Sequence, residues 1–224
     1  MTPINQVVVI GRDAPAWMAA AAIARSFGAA GVTVRVIELP SLLRATDCYS
    51  ALPALDGYHL RVGLDDRVVL ATCKAVPIAG QRFNDWAAAG AFLYGYDREV
   101  AEARLEFTHS WTKGRQEGLK SEFETFSLAA MAARAGRVPV PQEGASICAT
   151  FGYNMDARTY AALLRHCTLG LGMAAKQAML ADVEVEGERI AAVILDDGER
   201  VEADLFIDAS GAEWLLIGRL PGTE

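Results

Sequence analysis

No excess of basic charge runs through this 224-residue sequence: 21 Lys and Arg stand against 28 Asp and Glu, a net charge of -7. Such a surface repels phosphate backbones and anionic headgroups, so neither nucleic acid nor a membrane surface is an expected partner. Long apolar runs are missing too. The longest, around "AWMAAAAIA", falls far short of the roughly 20 residues a spanning helix needs. Cysteine is sparse: Cys48, Cys73, Cys148 and Cys167 form no CxxC pair and have no histidine at ligand spacing. They read as reduced, buried or incidental thiols rather than metal ligands or a disulfide. The opening "MTPINQ" has no positive segment before its first apolar run, so no secretory leader is expected and a cytoplasmic location is. What is present, 52% hydrophobic and 22% charged residues, suits a globular enzyme with a sizeable core.

Glycine is short at one telling place. In "VVVIGRDAPAWMAAAAIARSFG", residues 7 to 28, an apolar strand, a glycine, a short loop and an alanine-rich helix follow in order. That is the layout of a dinucleotide-binding turn, where three glycines serve the bend, the approach to the pyrophosphate and helix–strand packing. Gly11 fills the first position, whereas Asp13 and Ala16 occupy the second and third. A methyl at Ala16 is tolerable. A carboxylate at Asp13, about 4 Å from a phosphate charge, opposes it by roughly 1 kcal/mol in water and about 4 at an effective dielectric of 20. Arg12 is placed to offset part of this. Both a cofactor turn and a structural remnant stay open on these residues alone.

Glu38 ends the second strand, "TVRVIEL", 22 residues after Ala16, where an acid accepts hydrogen bonds from ribose hydroxyls; a solvated strand-end acid is the plainer alternative. The helix is expected from about Pro15 to Gly28. Residues 40–150 read as a long mixed insertion with helical signals near 97–107 and 121–136 and a proline-marked "VPVPQEG". Asp156 is placed to cap a helix in which Tyr160, Leu163, Leu164, Cys167 and Leu171 recur at helical spacing. Short β-rich runs broken by "EGE" and "DDGE" then predict a meander. The last apolar strand, "DLFID", runs into "ASG", bringing Asp208 and Gly211 toward a bound cofactor. This order describes an α/β fold: a Rossmann-like parallel sheet of the FAD-binding, monooxygenase type, with an inserted meander and a mixed helical insertion. Residues 1–224 are expected as one FAD-binding domain (1–39 the βαβ turn, 40–150 the insertion, 151–211 helix, meander and returning strand). The sheet is expected to be C-terminally incomplete, lacking a last strand.

The sequence resembles the flavin-dependent tryptophan halogenases. "GRDAPAWMAA" is similar to that family's GxGxxGWMAA turn, with Trp17 retained. "GLDDRVVLATCKAVPIAGQRFNDW", "FTHSW", "YNMDARTYAALLR" and "DLFIDASG" are further similarities, spread over essentially the whole chain. The resemblance implies FAD, supplied reduced by a flavin reductase, with a flavin hydroperoxide oxidising halide for transfer through a catalytic lysine to a small aromatic, indole-type substrate. Gly11, Asp13, Ala16, Trp17, Glu38, Asp208 and Gly211 are the implied cofactor contacts. Aligned without gaps on "AGQRFNDW", the family's TFKxGxRFxxW context puts Ile78 where the lysine stands, and Lys74, four residues earlier, is the nearby candidate for the catalytic lysine. The GxGEATxP segment has no copy at "RATDCYSALPAL", and WxWxIP is absent. A flavoprotein monooxygenase relative and a non-catalytic interaction protein therefore remain alternatives; a homodimer is open.

The remaining polar signals read as structural. His109 is expected in the core, and His59 and His166 have no partner at catalytic spacing. Asp65–Asp66 and Asp196–Asp197 read as loop or turn acids.

Overall fold

The computed structural model describes residues 3–86, 90–97, 101–138 and 150–222. In chain order the elements are β1 (Gln6–Gly11), α1 (Asp13–Phe27), β2 (Thr33–Glu38), β3 (Cys48–Ala51), α2 (Ala54–Val62), α3 (Asp66–Thr72), β4 (Val76–Ile78), β5 (Gly80–Asn84) and β6 (Ala91–Gly95). They continue with α4 (Ala101–Gln116), α5 (Leu128–Arg134), β7 (Gly152–Asp156), α6 (Ala157–Leu169), β8 (Ala174–Gln177), β9 (Leu180–Glu186), β10 (Arg189–Leu195), β11 (Arg200–Glu202) and β12 (Leu205–Ala209). The chain divides into two compact units. One runs to Cys48, takes up Tyr58–Lys74 and resumes at Met155; the other holds Tyr49–Gly57 and the chain between Ala75 and Asn154. Within the stretch 40–150, α3 and the part of α2 from Tyr58 on fall in the first unit.

In the first unit, β12, β1, β2 and β8 form a four-stranded parallel sheet in that order. β1 is apolar on both faces because both are covered. Val8 and Ile10 join Ile37, Val193, Leu195 and Val201 in the core beneath the antiparallel meander β9–β10–β11. Val7, Val9, Val34 and Val36 are also buried, and α1 packs on β1 and β2 and against α6. The last strand returns beside the first, as expected: Val7 to Gly11 lie in register with Leu205 to Ala209. Strand β8 was not expected. Its sequence "AAKQ" has no apolar alternation, and it is a strand because its backbone pairs with the outer edge of β2.

The helix expected from Pro15 starts two residues earlier, at Asp13. Pro15 sits in the first turn, where no amide is needed for an internal bond. Gly28 keeps right-handed geometry (φ -57°, ψ -39°). The chain leaves the helix only after a short 3-10 turn, at Gly31 with φ 87°. α6 follows its cap closely: the Asp156 carboxylate accepts from the Thr159 amide at 2.8 Å, and Tyr160, Leu163 and Leu164 are buried.

The second unit has a β5–β6 hairpin in which Phe83 faces Phe92. Their rings stack at 4.9 Å, with Trp86 stacked on Phe83 at 4.8 Å. Strand β4 pairs with β7, Val76 opposite Asn154 and Ile78 opposite Gly152. The helical signals near 97–107 and 121–136 appear as α4, which runs on to Gln116, and α5. Most of "VPVPQEG", from residue 139 on, lies outside the described residues, as does Cys148.

Candidate functional site

The strand–turn–helix is shaped by its neighbours. A Cβ on Gly11 would lie 2.4 Å from the carbonyl oxygen of Ala209, so β12 demands glycine there. The Gly11 carbonyl accepts from the Leu39 amide at 2.8 Å, tying the turn to the end of β2. Arg12 is extended (φ -133°, ψ 158°) and makes no side-chain cap to the helix. Asp13 then has φ 56°. This is the left-handed region that favours glycine and that aspartate tolerates better than most residues. The second glycine position has kept a glycine-like backbone under a different side chain. Ala16 is fully buried, and Trp17 is 1% exposed.

Beside this turn lies a cavity of about 610 Å³. One wall is Asp13 and Trp17 from α1, with Glu38 and Leu39 from the end of β2. A second wall is one face of α6: Arg158, Ala161, Ala162 and Arg165. These positions recur at three- and four-residue spacing, so they form a single stripe. Gln177, Met179 and Asp196 contribute further lining. The uncapped amides of the first α1 turn form an anion-binding terminus. Asp13 already supplies a negative charge there.

Glu38 is not a solvated strand-end acid. Arg165 Nε donates to both its oxygens at 3.0 Å, and Gln177 Nε2 donates at 3.2 Å. The Arg165 guanidinium also lies over the Trp17 ring, 5.5 Å from its centroid. Arg158 donates to the Leu43 carbonyl and so pins the loop after β2. Arg12, expected to relieve Asp13, instead pairs with Glu213 at 2.7 Å.

The other expected contacts are placed elsewhere. The Asp208 carboxylate accepts from the Ser210 hydroxyl and amide, at 2.6 and 3.0 Å, and from the Leu216 and Ile217 amides, at 2.9 and 3.2 Å. Burial pushes its pKa up, but those four donors outweigh it and hold the group below the usual carboxylate value. Gly211 is exposed, with φ 78°. Lys74 is exposed and left-handed (φ 49°). It follows Cys73 at the end of α3 in the first unit, whereas Ile78 is half-buried on β4 in the second. Burial lifts the Cys73 thiol to about 11, and the Cys167 thiol also upward, in keeping with unreactive thiols.

Three residues escaped the sequence reading. Arg158 and Arg165 lie off the apolar stripe that marks α6 in the sequence; their spacing around Ala161 and Ala162 is the available signal. His59 does have partners. It is 1% exposed, its Nδ1 lies 2.7 Å from Asp66 Oδ1, and its Nε2 lies 2.9 Å from the Tyr160 hydroxyl. Asp65 caps α3 as a turn acid would, but Asp66 belongs to this buried chain. Asp196 is in a turn and lines the cavity. His109 is exposed on α4 rather than in the core.

A parallel sheet with a glycine turn at the end of β1, an acid at the end of β2 and a crossing meander defines a dinucleotide-binding flavoprotein fold. Structural neighbours agree. BrvH, a flavin-dependent halogenase from Brevundimonas sp. BAL3, superposes with TM-score 0.79 at 30% identity over 96% of this chain and 44% of that one. A flavin-dependent halogenase from Xanthomonas campestris gives 0.82 at 28% identity, over 98% and 44%. The chain belongs to the tryptophan halogenase family, whose model matches residues 6–223. Tryptophan 7-halogenase KtzQ from Kutzneria sp. (strain 744) is 26% identical over 238 residues, covering 97% of this chain and 44% of that protein. The chain thus spans less than half the length of the relatives it matches. Among the described residues, no helix is long and apolar enough to cross a membrane.

Proposed function

We propose that this chain is the FAD-binding portion of a halogenase-type oxidoreductase, and that the cavity beside the turn takes the adenosine and pyrophosphate half of FAD. One observation carries the reading: the glycine-like backbone at Asp13, Trp17 and the strand-end Glu38 line a single cavity. The donor set fits that half, with Glu38 for ribose hydroxyls and arginines and helix amides for phosphate. FAD would supply oxidising chemistry at its ring, working with a flavin reductase, halide and a small aromatic substrate. This chain's residues bind and orient the nucleotide end. Titrating the purified protein with FAD, followed by flavin fluorescence, tests the reading; saturable one-to-one binding is expected, and no binding at millimolar FAD would overturn it.

A second reading, a relative that oxidises without halogenating, is favoured by Ile78 at the lysine position. Supplied with a reductase, halide and an indole, the protein should on this reading form peroxide and no halogenated product, and Lys74→Ala should leave the peroxide unchanged; a halogenated product would overturn the reading. Loss of that product alone in Lys74→Ala would make Lys74 the relay.

A further inference from the structure

Resting on the nucleotide reading of this cavity, we propose that Arg165 is its specificity-determining residue, exchanging the Glu38 carboxylate for the ligand's phosphate and so releasing Glu38 to the ribose hydroxyls. The two charges neutralise each other through Nε at the cavity wall. A guanidinium has five donors, so the remaining N–H groups can engage a phosphate before the carboxylate is given up.

The two partners differ in freedom. The Glu38 side chain is 14% exposed and the Arg165 side chain 40%, so the arginine is the one able to turn. The Trp17 face, 5.5 Å away, keeps a cation in place whichever oxygen it binds. Gln177 stays on Glu38 after the exchange, so the carboxylate is not left bare. Among the described residues, the other cation lining the cavity is Arg158, which is held by the Leu43 carbonyl. Phosphate offers the planar guanidinium a paired, charge-assisted contact at least as strong as the carboxylate it leaves.

The consequence is a preference for phosphorylated nucleosides that resides in one side chain. Calorimetric titration of adenosine and ADP against wild type, Arg165→Gln and Arg165→Lys tests it. Wild type should bind ADP more tightly than adenosine. In Arg165→Gln, ADP affinity should fall about tenfold, the weight of one charged contact, while adenosine affinity holds or rises. Arg165→Lys should keep most of the preference, since the charge remains. Equal losses for both ligands would show a merely structural role and overturn the proposal, as would an unaltered preference in Arg165→Gln. Wild type binding neither ligand would overturn the nucleotide reading itself, and the proposal with it; binding with an unaltered preference sinks only the proposal.

Discussion

Asp13 concentrates the conflict between fold and binding. Its backbone is left-handed, and its carboxylate stands at the N-terminus of α1, where a negative charge favours the helix by roughly 0.3–1 kcal/mol. The same charge opposes a phosphate by roughly 1–4 kcal/mol. Asp13→Asn removes the charge and keeps a residue that accepts the left-handed region; Asp13→Gly removes charge and strain together. Both should tighten FAD binding within that range, read by flavin fluorescence. Unchanged affinity in both would mean the carboxylate faces away from the phosphates. The motif is legible in the sequence at Gly11 and Trp17. The backbone at Asp13 is not, because a carboxylate gives no sign that its φ is positive. Asp208 was legible as a position but not as a role. Its pKa is depressed, so the stability it confers is present above the unfolded value near 3.9 and is lost as pH falls through the folded one. Acidification from about pH 5 through the folded value should therefore release the turn at 210–217, where buried Leu216 joins the core, and amide protection there, taken relative to the intrinsic exchange rate at each pH, should fall. Asp208→Asn should already show low protection at pH 5, and that protection should change little on acidification. Equal pH dependence in both proteins would assign the effect to another group.

Between elements, the buried chain Asp66–His59–Tyr160 joins α3, α2 and α6. A hydrogen-bonded buried imidazole fixes how three helices meet, and its removal leaves polar groups short of a partner at about 1–3 kcal/mol. His59→Phe, close in shape, should lower the unfolding free energy by that amount, shifting the urea midpoint down with the slope unchanged. A variant as stable as wild type would show that the contact only tolerates burial. None of this was readable from the sequence, since 101 residues separate His59 from Tyr160. Elements with their own periodicity or cap were legible: β1, the apolar stripe of α6 and its Asp156 cap, and the meander with its turns. Elements that exist through a neighbour were not. Strand β8 needs the edge of β2, and α2 and α3, at 9 and 7 residues, are too short to show a sustained helical period. The cavity wall was half-legible, because α6 was recognised by the stripe it buries and not by the arginines on its other face.

At the scale of the molecule, charge decides how a nucleotide arrives. The chain carries -7, and FAD carries about two negative charges on its pyrophosphate, so approach is repulsive until the ligand is within reach of the cavity arginines. Screening separates these ranges. The Debye length is roughly 30 Å at 0.01 M salt and about 8 Å at 0.15 M. Raising salt between those limits removes most of the long-range repulsion but little of a contact at 3 Å. The association rate of FAD, followed by stopped-flow fluorescence, should therefore rise several-fold over that interval, while the dissociation rate changes much less. An association rate that falls with salt would mean that the field of Arg158 and Arg165 reaches past the net charge and steers the ligand in, so that the cavity, not the whole surface, sets the encounter.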